Sequence, residues 1–287
     1  MKLSAALSIL PDLRTMINIG LWPTFVSVWQ NPFLLLNPRK MSQTFMSHLW
    51  VVFGNDADEI GRPAKSKLIT PHATGVVLDL GAGMSRLILC VKTTVKIIAC
   101  NYIVSTGCGH AASYLDQSKV TKYVALEPNV GMHKQLRLNA SKAGYTEADG
   151  TFLILSCGAA ETSAILSSLD NVQVDTIISV LALCSIPKPK DTLTELVNDV
   201  LKRGAELLCY EHVLSSLEDV AWWQRFWAPV WTTWSGGCRM DRPTNVYVEE
   251  IQGRGGETVW KERNVWRNER EPEEYLFPHH VGRYIKS

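Results

Sequence analysis

The chain has 287 residues, of which 46% are hydrophobic and 20% charged, as in a globular protein with a sizeable core. Lys and Arg number 29 against 28 Asp and Glu, a balance that makes no electrostatic case for nucleic acid as a partner. The seven cysteines form no CxxC pair and no His/Cys zinc spacing, so they read as reduced thiols in a reducing compartment, and no metal is expected.

Residues 1–70 read as an apolar helical extension. The run Met16–Leu36 is broken by Pro23 and Asn31-Pro32, so it offers no clean span for crossing a bilayer. Pro11, Asp12 and Arg14 also fit a cleaved signal peptide poorly. Trp22, Phe25, Trp29 and Phe33 recur at helical spacing, which predicts either packing on a core or peripheral contact with a membrane or lipid droplet from its cytoplasmic side.

From residue 71 to 287 the texture predicts a single α/β domain. Val76–Leu80, Tyr123–Leu126, Phe152–Leu155, Thr176–Val180 and Ala205–Tyr210 are short apolar runs of the kind buried in a parallel sheet. Met132–Ala143, Thr162–Leu169 and Asp191–Leu201 are helical between them, with Asp191 as an N-cap. Alternating strand and helix implies a Rossmann-like doubly wound sheet. Residues 216–287 form a C-terminal cap. Trp222–Trp234 reads as an aromatic helix, serving as core packing or as a lid over an apolar ligand. Lys261–Glu274 reads as a solvated charged segment, and His280–Lys286 as a last strand.

Open sheets of this kind bind ligands at the carboxyl ends of their strands. Val77-Leu78-Asp79-Leu80-Gly81-Ala82-Gly83 runs a strand into a tight turn that lets a ligand approach the backbone. Tyr123–Leu126 ends in Glu127-Pro128, and a carboxylate there suits the two hydroxyls of a ribose.

These two features, in order on successive strands, resemble the class I S-adenosylmethionine-dependent methyltransferases. That family's first motif is an acidic residue followed by Gly-x-Gly-x-Gly. Here Asp79, Gly81 and Gly83 fit, but Met84–Gly107 intervenes before Cys108-Gly109-His110. Removing those 24 residues leaves Asp-Leu-Gly-Ala-Gly-Cys-Gly-His, the complete motif. We read residues 84–107 as a retained intron. Three nucleotides per residue keep the frame, and codons for Gly83-Met84-Ser85 and Thr106-Gly107 accommodate a splice donor and acceptor. A genuine loop insertion, or an extra strand or helix, is the rival reading.

The resemblance implies S-adenosylmethionine as cofactor, held by Asp79, Gly81, Gly83, Gly109, Glu127, Pro128, Gly158, Ala159 and Leu183. Cys157-Gly158-Ala159-Ala160-Glu161 would lie beside the adenine, and Leu183-Cys184-Ser185-Ile186-Pro187 at the edge of the transfer site. The run ALCSIPKP, then YEHV, a Trp-rich segment and Gly237-Cys238 is similar to the small membrane-associated thiol methyltransferases. That closer likeness implies a small hydrophobic acceptor: a thiol, hydroxyl or amine. His212 is the candidate general base, in competition with a purely structural role. An inactive methyltransferase-fold protein and an NAD-dependent oxidoreductase are the alternatives, although Gly-x-Gly-x-x-Gly would be expected for NAD.

Overall fold

The structure is a computed structural model. It describes residues 1–37, 40, 41, 44, 45, 61–81, 110–128, 130–235, 237–269 and 271–287. The stretch 84–107 and the candidate residues Gly83 and Gly109 lie outside the described residues.

Seven strands form one sheet: β1 (Gly75–Leu80), β2 (Val120–Leu126), β3 (Phe152–Leu155), β4 (Val174–Val180), β5 (Leu201–His212), β6 (Trp260–Arg267) and β7 (His279–Lys286). Their order is β3-β2-β1-β4-β5-β7-β6. The first five are parallel, and β7 runs antiparallel to both β5 and β6. The central strands are apolar along their length because both faces are covered. One face packs Leu78, Val124, Ile177 and Leu207 against the helical segment 193–200, and the other packs Val77, Tyr123, Ile178 and Leu208 against residues 64–73 and 132–140.

The longer helices among the described residues are α1 (Ile9–Gln30), α2 (residues 61–69), α3 (His133–Lys142), α4 (Thr162–Ser168), α5 (Pro189–Glu195), α6 (Glu218–Trp234) and α7 (Thr244–Glu249). One expectation about a helix end is corrected: helix α5 starts at Pro189 behind Lys188 rather than at an Asp191 cap, while helix α1 runs on through Pro23. Proline at the first helical position lacks only an N–H that would have no partner there. The helix also passes into a π turn at Leu196–Val200 before β5.

The C-terminal third differs more. Trp260–Arg267, expected as part of a solvated charged segment, is an edge strand with mostly exposed side chains. Glu271, in the same expected segment, instead folds inward, where its carboxylate accepts the His279 backbone N–H and pairs with the His279 ring. Helix α6 has two aromatic faces. Trp223, Trp227 and Trp231 pack with Ile9, Ala228, Met240, Leu276 and Phe277, while Trp222 and Phe226 are exposed and stacked on each other. The start of the chain joins this layer, since the Trp227 indole N–H donates to the Ala6 carbonyl at 3.0 Å.

One buried side chain ties the layer to the sheet. Gln224 Nε2 donates to the carbonyls of Val213, Met240 and Leu276, and its Oε1 accepts the Ser215 N–H. An amide offers two donors and one two-fold acceptor, so this side chain closes the exit of β5, the 240 segment and the approach to β7 at one point.

Candidate active site

Register places the strand ends side by side. Leu80 is paired with Leu126 and with Ser179, and Leu126 with Leu155. The residues that follow, Gly81, Glu127, the 156–158 turn and Leu181, therefore share one edge of the sheet. That edge is where an open α/β sheet takes its ligand.

Gly81 has φ +64°, and a Cβ there would come 3.2 Å from the Ala182 side chain. Only glycine takes that backbone without strain while keeping the turn tight against the next loop. Its N–H donates to the Leu126 carbonyl at 3.1 Å, which fixes the turn to β2. Glu127 is buried at 4% exposure, its N–H donating to the Leu155 carbonyl at 2.9 Å. Its own carbonyl lies 2.9 Å from His133 Nε2, so the start of α3 is bound to the same turn. Pro128 beside it is exposed. The Gly158 N–H donates to the Glu161 carboxylate at 2.6 Å, shaping the third turn, and Ala159 packs against the core.

Asp79 is the next-to-last residue of β1. Its buried carboxylate accepts the Tyr123 hydroxyl at 2.7 Å, and burial raises its pKa to about 7 despite that bond. The side chain braces β1 against β2 directly below the Gly81 turn.

The loop after β4 is held by a carboxylate that sequence reasoning passed over. Glu211, 1% exposed, accepts the Ser179 hydroxyl at 2.6 Å and the backbone N–H groups of Ala182 and Leu183 at 2.9 and 3.2 Å. Burial raises its pKa, and these donors oppose the rise. The only sequence signal was an acidic residue closing an apolar run, as with Glu127. Leu183, expected near the cofactor, is thereby positioned through its backbone and buried. Leu181 takes φ +54°, an unusual conformation for a branched residue, which its N–H bond to the Tyr210 carbonyl at 2.9 Å maintains.

Arg242 completes the loop. Its Nη1 donates to the carbonyls of Leu183, Cys184 and Ile186, and the Arg239 N–H reaches the Cys184 carbonyl at 3.1 Å. The 238–242 segment thus lies directly against the post-β4 loop. His212, the candidate base, ends β5 beside both. Its ring is half-buried, with Nδ1 3.8 Å from the Cys238 sulfur and the ring near those of Phe277 and His279. The His212 carbonyl accepts the Thr244 hydroxyl at 2.7 Å. His110, outside this group, opens a short 3-10 turn, His110–Tyr114.

The residues fit S-adenosylmethionine at this edge. Gly81 leaves the close backbone approach that a side chain would fill, and Glu127 offers a carboxylate at the end of the neighbouring strand.

Comparison with known proteins agrees. Residues 104–209 match the family described as Methyltransferase domain. That match takes in residues 104–107 and Cys108-Gly109, and β1 lies ahead of it. Thiol S-methyltransferase TMT1B of Rattus norvegicus is 26% identical over 160 residues, covering 55% of this chain and 62% of the relative. The Homo sapiens protein of the same name is 26% identical over 156 residues, covering 52% and 61%. The chain thus spans about three fifths of the length of these curated relatives. An O-methyltransferase family protein from Burkholderia thailandensis has the same fold, with a TM-score of 0.53 at 8% identity, covering 88% of this chain and 61% of that one. The strand order, the glycine turn beside a buried strand-end carboxylate and the family match point the same way: residues 104–209 match the methyltransferase domain family, on a sheet with the fold of the class I methyltransferases.

Proposed function

We propose that this chain transfers a methyl group from S-adenosylmethionine to a small apolar acceptor, with a thiol as the favoured class. The observation that carries the reading is the alignment of Gly81 with Glu127 on adjacent strand ends of a β3-β2-β1-β4-β5-β7-β6 sheet. The cofactor supplies a methyl on a positively charged sulfur, and the acceptor must be brought in line with it while water is excluded. Glu127 would take the ribose hydroxyls, and the backbone at Gly81, Gly83 and Gly109 the close approach. Gly158, Ala159 and Leu183 would line the adenine and transfer sides.

The acceptor side is formed by the post-β4 loop, His212 and the inner face of α6. Trp231 and Phe277 meet with tilted rings, centroids 4.6 Å apart, next to His212, which gives that side an apolar wall. The relatives' names specify thiols, and His212 beside two cysteines suits an acceptor that must lose a proton. Membrane contact belongs to the same reading. No helix among the described residues is long and apolar enough to cross a membrane. Trp22, Phe25, Trp29 and Phe33 are, however, between 55% and 78% exposed. Aromatic side chains presented in this way suit the interfacial layer of a membrane or lipid droplet, on the cytoplasmic side.

The test is calorimetric titration of the full chain with S-adenosylmethionine, followed by methyl transfer to an alkyl thiol, a phenol and an amine. Binding with transfer to the thiol supports the whole reading. Binding without transfer to any acceptor supports an inactive methyltransferase fold, a reading favoured by the 24 residues between Gly83 and Cys108. Binding of NAD instead would overturn it.

A further inference from the structure

Cys184, His212 and Cys238 come from three separate segments, yet their sulfur and ring-nitrogen atoms all lie within 4.8 Å of one another. In a tetrahedral zinc site, bond lengths of about 2.3 Å to sulfur and 2.0–2.1 Å to nitrogen put neighbouring ligand atoms about 3.6–3.8 Å apart. Cys238 Sγ and His212 Nδ1 are already 3.8 Å apart. The three need only close on a common centre.

The surroundings hold these segments in place mainly through backbone groups, and the Cys184 thiol itself donates to the Leu181 carbonyl at 3.4 Å. Glu211 and Arg242 fix the Cys184 loop through backbone groups. The Thr244 hydroxyl fixes His212 through its carbonyl, and the Arg239 N–H joins the Cys238 segment to Cys184. Both cysteines are buried, and the imidazole is half-buried. The Trp231 indole N–H is buried with no hydrogen-bond partner among the described residues.

We propose that Cys184, His212 and Cys238 bind zinc(II), leaving a fourth position open for the thiolate of the acceptor. Two cysteines and one histidine with a free position form a ligand set of the catalytic kind, and soft sulfur ligands select zinc over calcium or magnesium. At the fourth position the acceptor's S–H bond breaks, a metal–sulfur bond forms and the proton leaves to solvent. Acceptor sulfur would then be held as thiolate beside the transfer edge. This last step rests on the methyl-transfer reading; zinc binding itself does not.

The experiment uses the full chain purified under reduction. Metal content is measured by mass spectrometry, zinc affinity by chelator competition, and site geometry by cobalt(II) absorption. One zinc per chain is expected. Cys184→Ser and Cys238→Ser should each weaken binding by at least about 100-fold, beyond what loss of a supporting partner costs. Circular dichroism melting in each variant verifies folding, and His212→Gln serves as a third probe if a serine variant fails to fold. Adding an alkyl thiol should shift the cobalt spectrum in the parent chain. Sub-stoichiometric zinc, unchanged affinity in folded variants, or isolation as a Cys184–Cys238 disulfide would overturn the site. A cobalt spectrum indifferent to thiol would overturn the open position. S-adenosylmethionine titration is run alongside. Cofactor binding without zinc leaves the methyl-transfer reading standing alone, and zinc without cofactor leaves only the metal site.

Discussion

Replacing Asp79 by Asn should stabilise the protein at pH 8 and leave it nearly unchanged at pH 3. The Asp79 carboxyl is fully buried between β1 and β2, and burial lifts its pKa from 3.8 to about 7. A carboxyl raised on folding binds its proton more tightly in the native state. The native state therefore gains from the neutral form, and this gain disappears as pH rises from about 4 to about 7. A shift of about three pH units at about 1.4 kcal/mol each places the loss at up to about 4 kcal/mol above pH 7. Asn matches the protonated acid in shape, can still accept the Tyr123 hydroxyl and never ionises. Urea denaturation of both proteins without cofactor, at half-unit intervals from pH 3 to 8.5, gives the difference directly. It should rise from about zero to a few kcal/mol in favour of Asn, or roughly 8–16 °C in Tm. Parallel stability curves, or a variant weaker at pH 8, would refute burial as the dominant influence on this carboxyl.

Glu127→Ala should weaken S-adenosylmethionine binding by one to two decades, about 1.5–3 kcal/mol for a charge-assisted hydrogen bond, and an unchanged Kd by calorimetry removes Glu127 from the site. Gln224→Leu leaves three buried carbonyls and the Ser215 N–H without their partner, and should cost about 3 kcal/mol or more in denaturant unfolding; a loss below about 1 kcal/mol would mean that water replaces the amide. Deleting residues 84–107 should raise both soluble yield and cofactor affinity, because the stretch is apolar and separates the halves of the glycine motif; equal yield and equal affinity would make it a tolerated loop. A fluorescent fusion of residues 1–40 should mark membranes or lipid droplets in cells, and substituting Ser at Trp22, Phe25, Trp29 and Phe33 should disperse it; a diffuse parent fusion counts against membrane contact.

The parallel half of the sheet was legible because its strands are buried on both faces. Phe152–Leu155 stands out from its surroundings as an uninterrupted apolar run, and the structure keeps the same limits. Strand β6 was not legible, because Trp-Lys-Glu-Arg-Asn-Val-Trp-Arg has exposed side chains almost throughout and is a strand only through its pairing with β7. At the site, glycines and strand-end acids point to Gly81 and Glu127 because their chemistry is local. Glu211 and the Cys184–His212–Cys238 group carry no such signal. Their partners lie 26 to 54 positions away in sequence, brought near only by the loops after β4 and β5 and by the turn after α6.

The place of β7 in the sheet has a consequence for synthesis. It fills the gap between β5 and β6, and its Lys286 ammonium reaches back to the carbonyls of Asn198 and Leu201. As the chain leaves the ribosome, β1 to β5 emerge first, and the outer edge of β5, the strand that ends in His212, stays bare until residues 279–286 follow. A bare edge is a template for another strand. A transcript stopped before residue 279 would therefore yield chains that pair with one another through β5, and such products should be found in aggregates rather than as a shortened soluble domain.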